Sequence, residues 1–134
     1  MKAPKEVQIA VFLSLAVLLA EASASFWRIA TDSEVRENMT FAIVWIVVTL
    51  GVNALTAFFI FQLSQRRHWA RIALLLWTVA SWMLWFIYPQ RFDAYAGWGW
   101  LLTGTLVVME LLALVLLFGD RAGAWYSSRT PVTR

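Results

Sequence analysis

The 134-residue sequence contains no cysteine, a single histidine and few charged residues. Without cysteine, the chain can form no disulfide, no thiolate metal site and no thiol nucleophile. One histidine cannot supply the histidine pair that a haem or a catalytic zinc needs. Charged residues make up only 14% of the chain, against about one quarter in soluble domains. The sequence therefore has too little polar surface for a water-soluble globule.

Apolar residues are abundant instead, at 61% of the chain, and they concentrate in four long runs. A helix needs about 20 mostly apolar residues to cross the roughly 30 Å of hydrocarbon in a bilayer. Four segments meet this requirement, at residues 7–27, 41–63, 69–88 and 98–118. The sequence thus predicts an all-α fold, an integral membrane four-helix bundle with short loops that forms a single domain over residues 1–134.

The basic residues predict how these helices are oriented. Eight of the 11 lysine and arginine residues lie on one side of the four spans, and three lie on the other. The positive-inside rule then places the richer side, with both termini and the turn after residue 63, in the cytoplasm. Because the basic residues are distributed by topology rather than along one stripe, we expect the lipid bilayer, and no nucleic acid, as a partner.

Residues typical of helix ends, together with aromatic residues, support these boundaries. The segment 31–34 has a capping-box pattern, which predicts that the second helix begins outside the bilayer and enters it near Met39. Pro89 and Gly119 are expected to end the third and fourth helices. Amphipathic rings prefer the headgroup level, and we expect eight of them there: Trp27, Trp69, Tyr88, Tyr95, Trp98, Trp100, Trp125 and Tyr126. The deeper Trp45, Trp77 and Trp82 are expected to pack.

The first apolar run also resembles a cleavable signal peptide, because residues 20–24, near its end, have a small-x-small pattern. The run nevertheless continues through Trp27 to full spanning length, and Glu6 weakens the basic segment in front of it. We therefore expect the first span to be retained. Cleavage would leave three spans in the same orientation.

Two carboxylates, Glu21 and Glu110, lie inside the predicted spans, where an ionisable side chain is expensive and is a candidate functional group. Each span carries a stripe of polar or small residues at helical spacing, and the simplest packing turns all four stripes inward. A rise of about 1.5 Å per residue sorts them into two levels. Near the midplane lie Ser14, Asn53, Thr78 and Glu110, and nearer the outside lie Glu21, Thr49, Ser81 and Thr103.

The candidate intramembrane polar site comprises Glu110, Asn53, Glu21, Thr49, Thr103 and Ser81. We expect Glu110 to be protonated and hydrogen bonded to Asn53, because no basic residue lies at its depth. One interpretation is that these residues form interhelical hydrogen bonds that fix helix register. The other is a path for protons or cations. Separately, Ala16, Ala20 and Ala24 form a small-residue series that allows close approach of another helix, within the bundle or from a partner.

Two segments at the third and fourth spans carry a resemblance. Residues 67–76 read Arg-His-Trp-Ala-Arg-Ile-Ala-Leu-Leu-Leu, and the Leu-rich segment 114–118 is followed by Ala-Trp-Tyr at 124–126. Both resemble segments of small uncharacterised four-helix bacterial inner-membrane proteins, in which Trp-Ala-Arg opens one helix and a Leu-rich helix ends in Ala-Trp-aromatic. The resemblance implies four helices in a bacterial cytoplasmic (inner) membrane, and it implies no activity.

The sequence contains no phosphate loop, nucleophile elbow, metal motif or nucleotide-binding glycine pattern. We therefore predict a protein that is not an enzyme and has no catalytic residue, cofactor or metal site. The leading hypothesis is an accessory, structural or interaction component of a membrane assembly, with a second copy or a larger membrane protein as partner. The alternative is a small proton- or cation-coupled carrier or channel that uses Glu110, Asn53 and Glu21.

Overall fold

The computed structural model of the chain describes residues 2–87 and 98–128. Within these residues the chain forms six helices: α1 Lys5–Thr31, α2 Ser33–Glu37, α3 Met39–Ser64, α4 His68–Ile87, α5 Trp98–Phe118 and α6 Asp120–Ser127. The described part of the chain contains no β-strand, which confirms the all-α class. Several predicted features lie outside the described residues: Tyr88, Pro89, Arg91, Tyr95, Arg129, Arg134 and the side chain of Trp98.

Three of the described helices are long and apolar enough to cross a membrane. They are α1, α3 and the segment Trp100–Phe118 of α5. Each begins and ends within a few residues of a predicted span. The agreement is expected, because an uninterrupted apolar run in hydrocarbon can satisfy its backbone hydrogen bonds only as a helix. The segment predicted as a fourth span forms the 20-residue helix α4.

The four long helices run antiparallel around one bundle. α1 packs most extensively on α5 and next on α3, α3 packs on α4, and α4 packs on α5 over a shorter stretch. The order around the bundle is therefore α1, α3, α4, α5. At one end of the bundle, α1 and α4 begin and α3 and α5 end, and we call this the near end. The opposite end, next to α2, is the far end.

The main buried core lies at the near end. Val7 of α1, Leu63 of α3 and Leu117 of α5 are at most 1% exposed, and they belong to one apolar cluster. The short helix α6 covers this cluster from below and contributes three buried residues to it: Ala122, Trp125 and Tyr126. Close van der Waals packing, which holds helices together in a membrane, is thus concentrated at the near end.

The lateral surface of the bundle is apolar. Phe12, Leu101 and Val115 are each at least 66% exposed, and large apolar side chains are exposed along all four long helices. Soluble proteins rarely expose contiguous apolar patches of this extent, whereas hydrocarbon solvates them without penalty. The surface therefore suits a membrane protein.

The start of the second predicted helix is interrupted. Asp32 caps α2 and accepts a 2.9 Å hydrogen bond from the Glu34 backbone N–H, near the predicted capping box. Asn38 then takes an extended backbone conformation and caps α3 by accepting from the Phe41 N–H at 3.2 Å. The prediction of one continuous helix is wrong, because the Asn38 side chain replaces a helical hydrogen bond with a new cap.

The rings predicted at the headgroup level differ in exposure. Trp27, Trp69 and Trp100 are 72%, 47% and 58% exposed near helix ends. Trp125 and Tyr126 are only 7% and 3% exposed, so the prediction that their rings face the headgroups is wrong. Gly119 has an extended backbone that ends α5 and turns α6 back beneath the bundle, which buries both rings.

Candidate functional site

The polar residues of the spans lie on the inner sides of their helices, among exposed apolar neighbours. On α3, for example, Asn53 is half-buried, whereas Val52 and Leu55 are 43% and 39% exposed. Half-buried in the same way are Thr49, Thr56, Ser81, Thr103 and Glu110, while Thr78 is buried. Five of the six predicted site residues thus line the interior, and Glu21 is the exception.

Glu21 lies on the inward side of α1 but is exposed. Val17 follows Ala10 by seven residues and Glu21 follows Val17 by four, which places all three on one helix face. Ala10 and Val17 are 0% and 4% exposed, whereas Glu21, one turn farther along, has an exposed side chain. The face of α1 that is buried at Ala10 and Val17 is therefore exposed at Glu21, and we call this exposed position the opening.

Glu110 links three helices at this opening. Its carboxyl group on α5 accepts a 2.7 Å hydrogen bond from Trp82 Nε1 on α4. It is also close enough to Glu21 on α1 for the two carboxyl groups to interact electrostatically. The structure thus brings together the two intramembrane carboxylates that the sequence singled out, with an indole N–H as a third member.

Asn53 does not have the predicted partner. Its Nδ2 donates to the Thr49 carbonyl oxygen at 2.7 Å, one turn earlier on the same helix. The expected hydrogen bond from Asn53 to Glu110 is wrong, because Glu110 lies on α5 and bonds Trp82 across to α4. The sequence predicted Asn53 and Glu110 at the same depth in the membrane. Their helices, α3 and α5, are however not adjacent in the order around the bundle.

The two deep tryptophans of α4 were predicted only to pack, yet both donate hydrogen bonds between helices. Trp77 Nε1 donates to Thr56 Oγ1 of α3 at 3.0 Å, and Trp82 donates to Glu110. A signal for this was present, since Trp82 follows Thr78 by four residues and Trp77 precedes Ser81 by four. That spacing places each indole on the polar face of its helix.

The middle of the bundle therefore offers two carboxyl groups, indole donors and hydroxyls. Such a set can bind a proton or a cation, or it can hydrogen bond another polar helix. Among the described residues, no group of three or more histidine, aspartate or glutamate side chains could hold a metal ion.

No protein-family model, curated protein or solved structure matches this chain. The resemblance to small bacterial inner-membrane proteins therefore stays a prediction.

A second polar cluster surrounds Arg71 at the near end. Arg71 is 6% exposed, and its Nη1 donates to the Leu117 carbonyl oxygen at 3.0 Å. Its Nη2 lies 2.9 Å from His68 Nε2, and its guanidinium carbon lies 4.6 Å from the centre of the Tyr126 ring. In the sequence, Arg71 counts only as one of the basic residues that predict the topology. Its contacts with α5 and α6 join residues that are far apart in the chain, so local patterns do not reveal them.

Tyr126 completes this cluster from α6. Its hydroxyl donates to the Leu63 carbonyl oxygen at 3.0 Å. Burial raises the pKa of Tyr126 to about 12, and the nearby positive charge of Arg71 opposes that rise. The phenol therefore stays protonated, and able to donate, throughout the physiological pH range.

Proposed function

We propose that α4 is a fourth membrane span and that both termini lie in the cytoplasm of a bacterial inner membrane. Two features support this: α4 packs antiparallel to α3, and its outer side exposes Leu76 and Met83 at 63% and 61%. The excess of basic residues on the side of the termini supports the orientation.

Reporter fusions test this topology. A fluorescent protein fused after Ser128 is expected to be bright, and alkaline phosphatase inserted at Asn38 is expected to be active, because phosphatase matures only outside the cytoplasm. The same enzyme inserted at Arg67, in the α3–α4 turn, is the matched control and is expected to be inactive. Active phosphatase at Arg67 would refute the proposed orientation.

We propose that the protein has no catalytic activity and acts by assembling with another membrane protein, either a second copy or a larger partner. The observation that carries this proposal is Glu21, a carboxyl side chain on the inward side of a membrane-spanning helix that the bundle leaves exposed. Ionisable side chains at such depth almost always face protein or water. A further helix seated over the opening would cover Glu21 and the half-buried polar groups beside it.

Site-specific photo-crosslinking in native membranes tests this assembly. A benzophenone side chain at Ser25, one turn after Glu21 on the same face of α1, is expected to form a protein adduct. The matched control is Leu19 of the same helix, which is 67% exposed on the lipid-facing side. Mass spectrometry of the adduct distinguishes a second copy from another protein. Protein adducts of equal yield at both positions, or none at Ser25, would refute the proposal.

A small proton- or cation-coupled carrier is the second candidate. It is favoured by the proximity of Glu21 and Glu110, two carboxyl groups within apolar helices. Ionisable side chains at such depth mark proton relays and ion pathways. In this reading the carboxyl groups take up the proton or cation, and Trp82 holds Glu110 in place.

Flux measurements separate the two candidates. The protein is reconstituted in liposomes, and proton or monovalent-cation flux is compared with that of Glu110→Gln, Glu21→Gln and the control Glu37→Gln, which lies on α2 outside the spans. A carrier should lose flux in the first two variants and keep it in the third. Equal, background-level flux in all four samples would eliminate the carrier and leave assembly as the proposal.

A further inference from the structure

Polar contacts from several elements add to the buried apolar packing of α6 against the bundle. Tyr126 donates to the Leu63 carbonyl at the end of α3. In the α3–α4 turn, Arg66 Nε donates to the Trp125 carbonyl at 3.1 Å, and Arg66 Nη2 donates to the same carbonyl and to Ser128 Oγ. Arg121 on α6 forms a 2.9 Å ion pair with Glu6 of α1. Three separate elements thus hold one eight-residue helix.

The docked position of α6 also carries two unfavourable features. Arg71 Nε and Trp125 Nε1 are both buried donors with no acceptor among the described residues. An unsatisfied buried donor loses its hydration without compensation. Trp125 belongs to α6, and the Tyr126 ring of α6 lies against the Arg71 guanidinium, so release of α6 would expose both donors.

A released α6 also has another favourable position. Trp and Tyr side chains prefer the membrane interface, where the indole N–H and the phenol O–H find partners and the rings remain in an apolar environment. Trp125 and Tyr126 would therefore lose little by leaving the bundle for the headgroup region. Gly119, which joins α5 to α6 through an extended backbone, is the natural point for the two orientations to diverge.

We infer that α6 is a releasable cap, which exchanges between the docked position beneath the bundle and a position on the membrane surface. In the docked position it seals the near end by covering Leu63 and Leu117. In the released position it uncovers this end and frees the Arg66 guanidinium from the Trp125 carbonyl.

Cysteine accessibility tests this exchange, because the chain has no cysteine of its own. Ala122 and Ala124 are both on α6, and the first is fully buried in the docked position whereas the second is exposed. In lipid nanodiscs, Ala122→Cys is expected to react with a maleimide more slowly than Ala124→Cys but to completion. Adding Tyr126→Phe, which removes the hydrogen bond to Leu63 and keeps the ring, should accelerate the reaction of Ala122→Cys about 2- to 10-fold.

Hydrogen exchange of the unmodified protein provides a readout that does not depend on the buried cysteine. The amides of α6 are expected to exchange faster than those at the end of α5, and faster still in Tyr126→Phe. Two results would overturn the inference. One is labelling of Ala122→Cys as fast as Ala124→Cys together with unprotected α6 amides, which means that α6 never docks. The other is protection of α6 equal to that of α5 and insensitive to Tyr126→Phe, which means that it never leaves.

Discussion

Replacing Arg71 by methionine tests how far a buried guanidinium stabilises the near end of the bundle. The hydrogen bond to the Leu117 carbonyl oxygen is charge-assisted and is worth about 1.5–3 kcal/mol. The contact with the Tyr126 ring at 4.6 Å adds about 0.5–2 kcal/mol. Against this, methionine fills much of the same volume, makes a sulfur–aromatic contact of about 0.3–1.5 kcal/mol, and removes the buried Nε that has no acceptor.

The balance is a loss of about 2 kcal/mol, or roughly a 30-fold change in the unfolding equilibrium constant. We expect this loss when the protein in dodecyl maltoside micelles is unfolded with increasing mole fractions of dodecyl sulfate and followed by tryptophan fluorescence. Arg71→Lys keeps the charge but not the planar fork, so it should fall between the native protein and the methionine variant. Arg67→Met is the control, because Arg67 is exposed and lies directly before the start of α4. This variant should change the stability little.

An Arg71→Met variant as stable as the native protein, or more stable, would refute this reasoning. It would mean that desolvation of the guanidinium outweighs its hydrogen bonds and ring contacts, as happens for some buried charges in other proteins.

Three further predictions concern packing, the polar site and pH. Leu117→Ala should destabilise the bundle by about 2–5 kcal/mol in the same micelle assay because it leaves a cavity, whereas Val115→Ala, 67% exposed, should change little. A double-mutant cycle of Trp82→Phe and Glu110→Leu should give a coupling energy of about 0.5–1.5 kcal/mol, and zero coupling would contradict their hydrogen bond. Because the pKa of Tyr126 is raised by burial to about 12, its contribution to folding is present below pH about 10 and lost as the pH rises through about 12. A spectrophotometric titration should therefore show a late tyrosinate step that Tyr126→Phe abolishes.

The helices of this protein could be predicted from local composition. The apolar run predicted over 7–27 lies within α1, Lys5–Thr31, and the run over 41–63 lies within α3, Met39–Ser64. In a membrane each backbone N–H must find its acceptor within the same segment, so an apolar run of sufficient length has little choice but to be helical. The break at Asn38 escaped prediction because it depends on one side chain accepting a backbone hydrogen bond.

The candidate site could be predicted only in part, because residue spacing reports the face and the depth of a side chain but not its neighbours. Helical spacing correctly brought Glu110 to the interior and singled out Glu21. It did not reveal that Glu110 bonds Trp82, because that contact depends on α4 lying next to α5. It also did not reveal the opening at Glu21, since the sequence does not say how closely helices pack at a given level.

The sequence by itself determined the all-helical class, the three helices long and apolar enough to cross a membrane and the inward polar faces, since each follows from the order of apolar and polar residues along one helix. Only the tertiary structure decided that the buried core lies at the near end and that α6 folds beneath it. Those features depend on contacts such as Tyr126 with Leu63, which are 63 residues apart in the chain. Distances of that kind are set by the packing of whole helices against one another, and no local pattern encodes them.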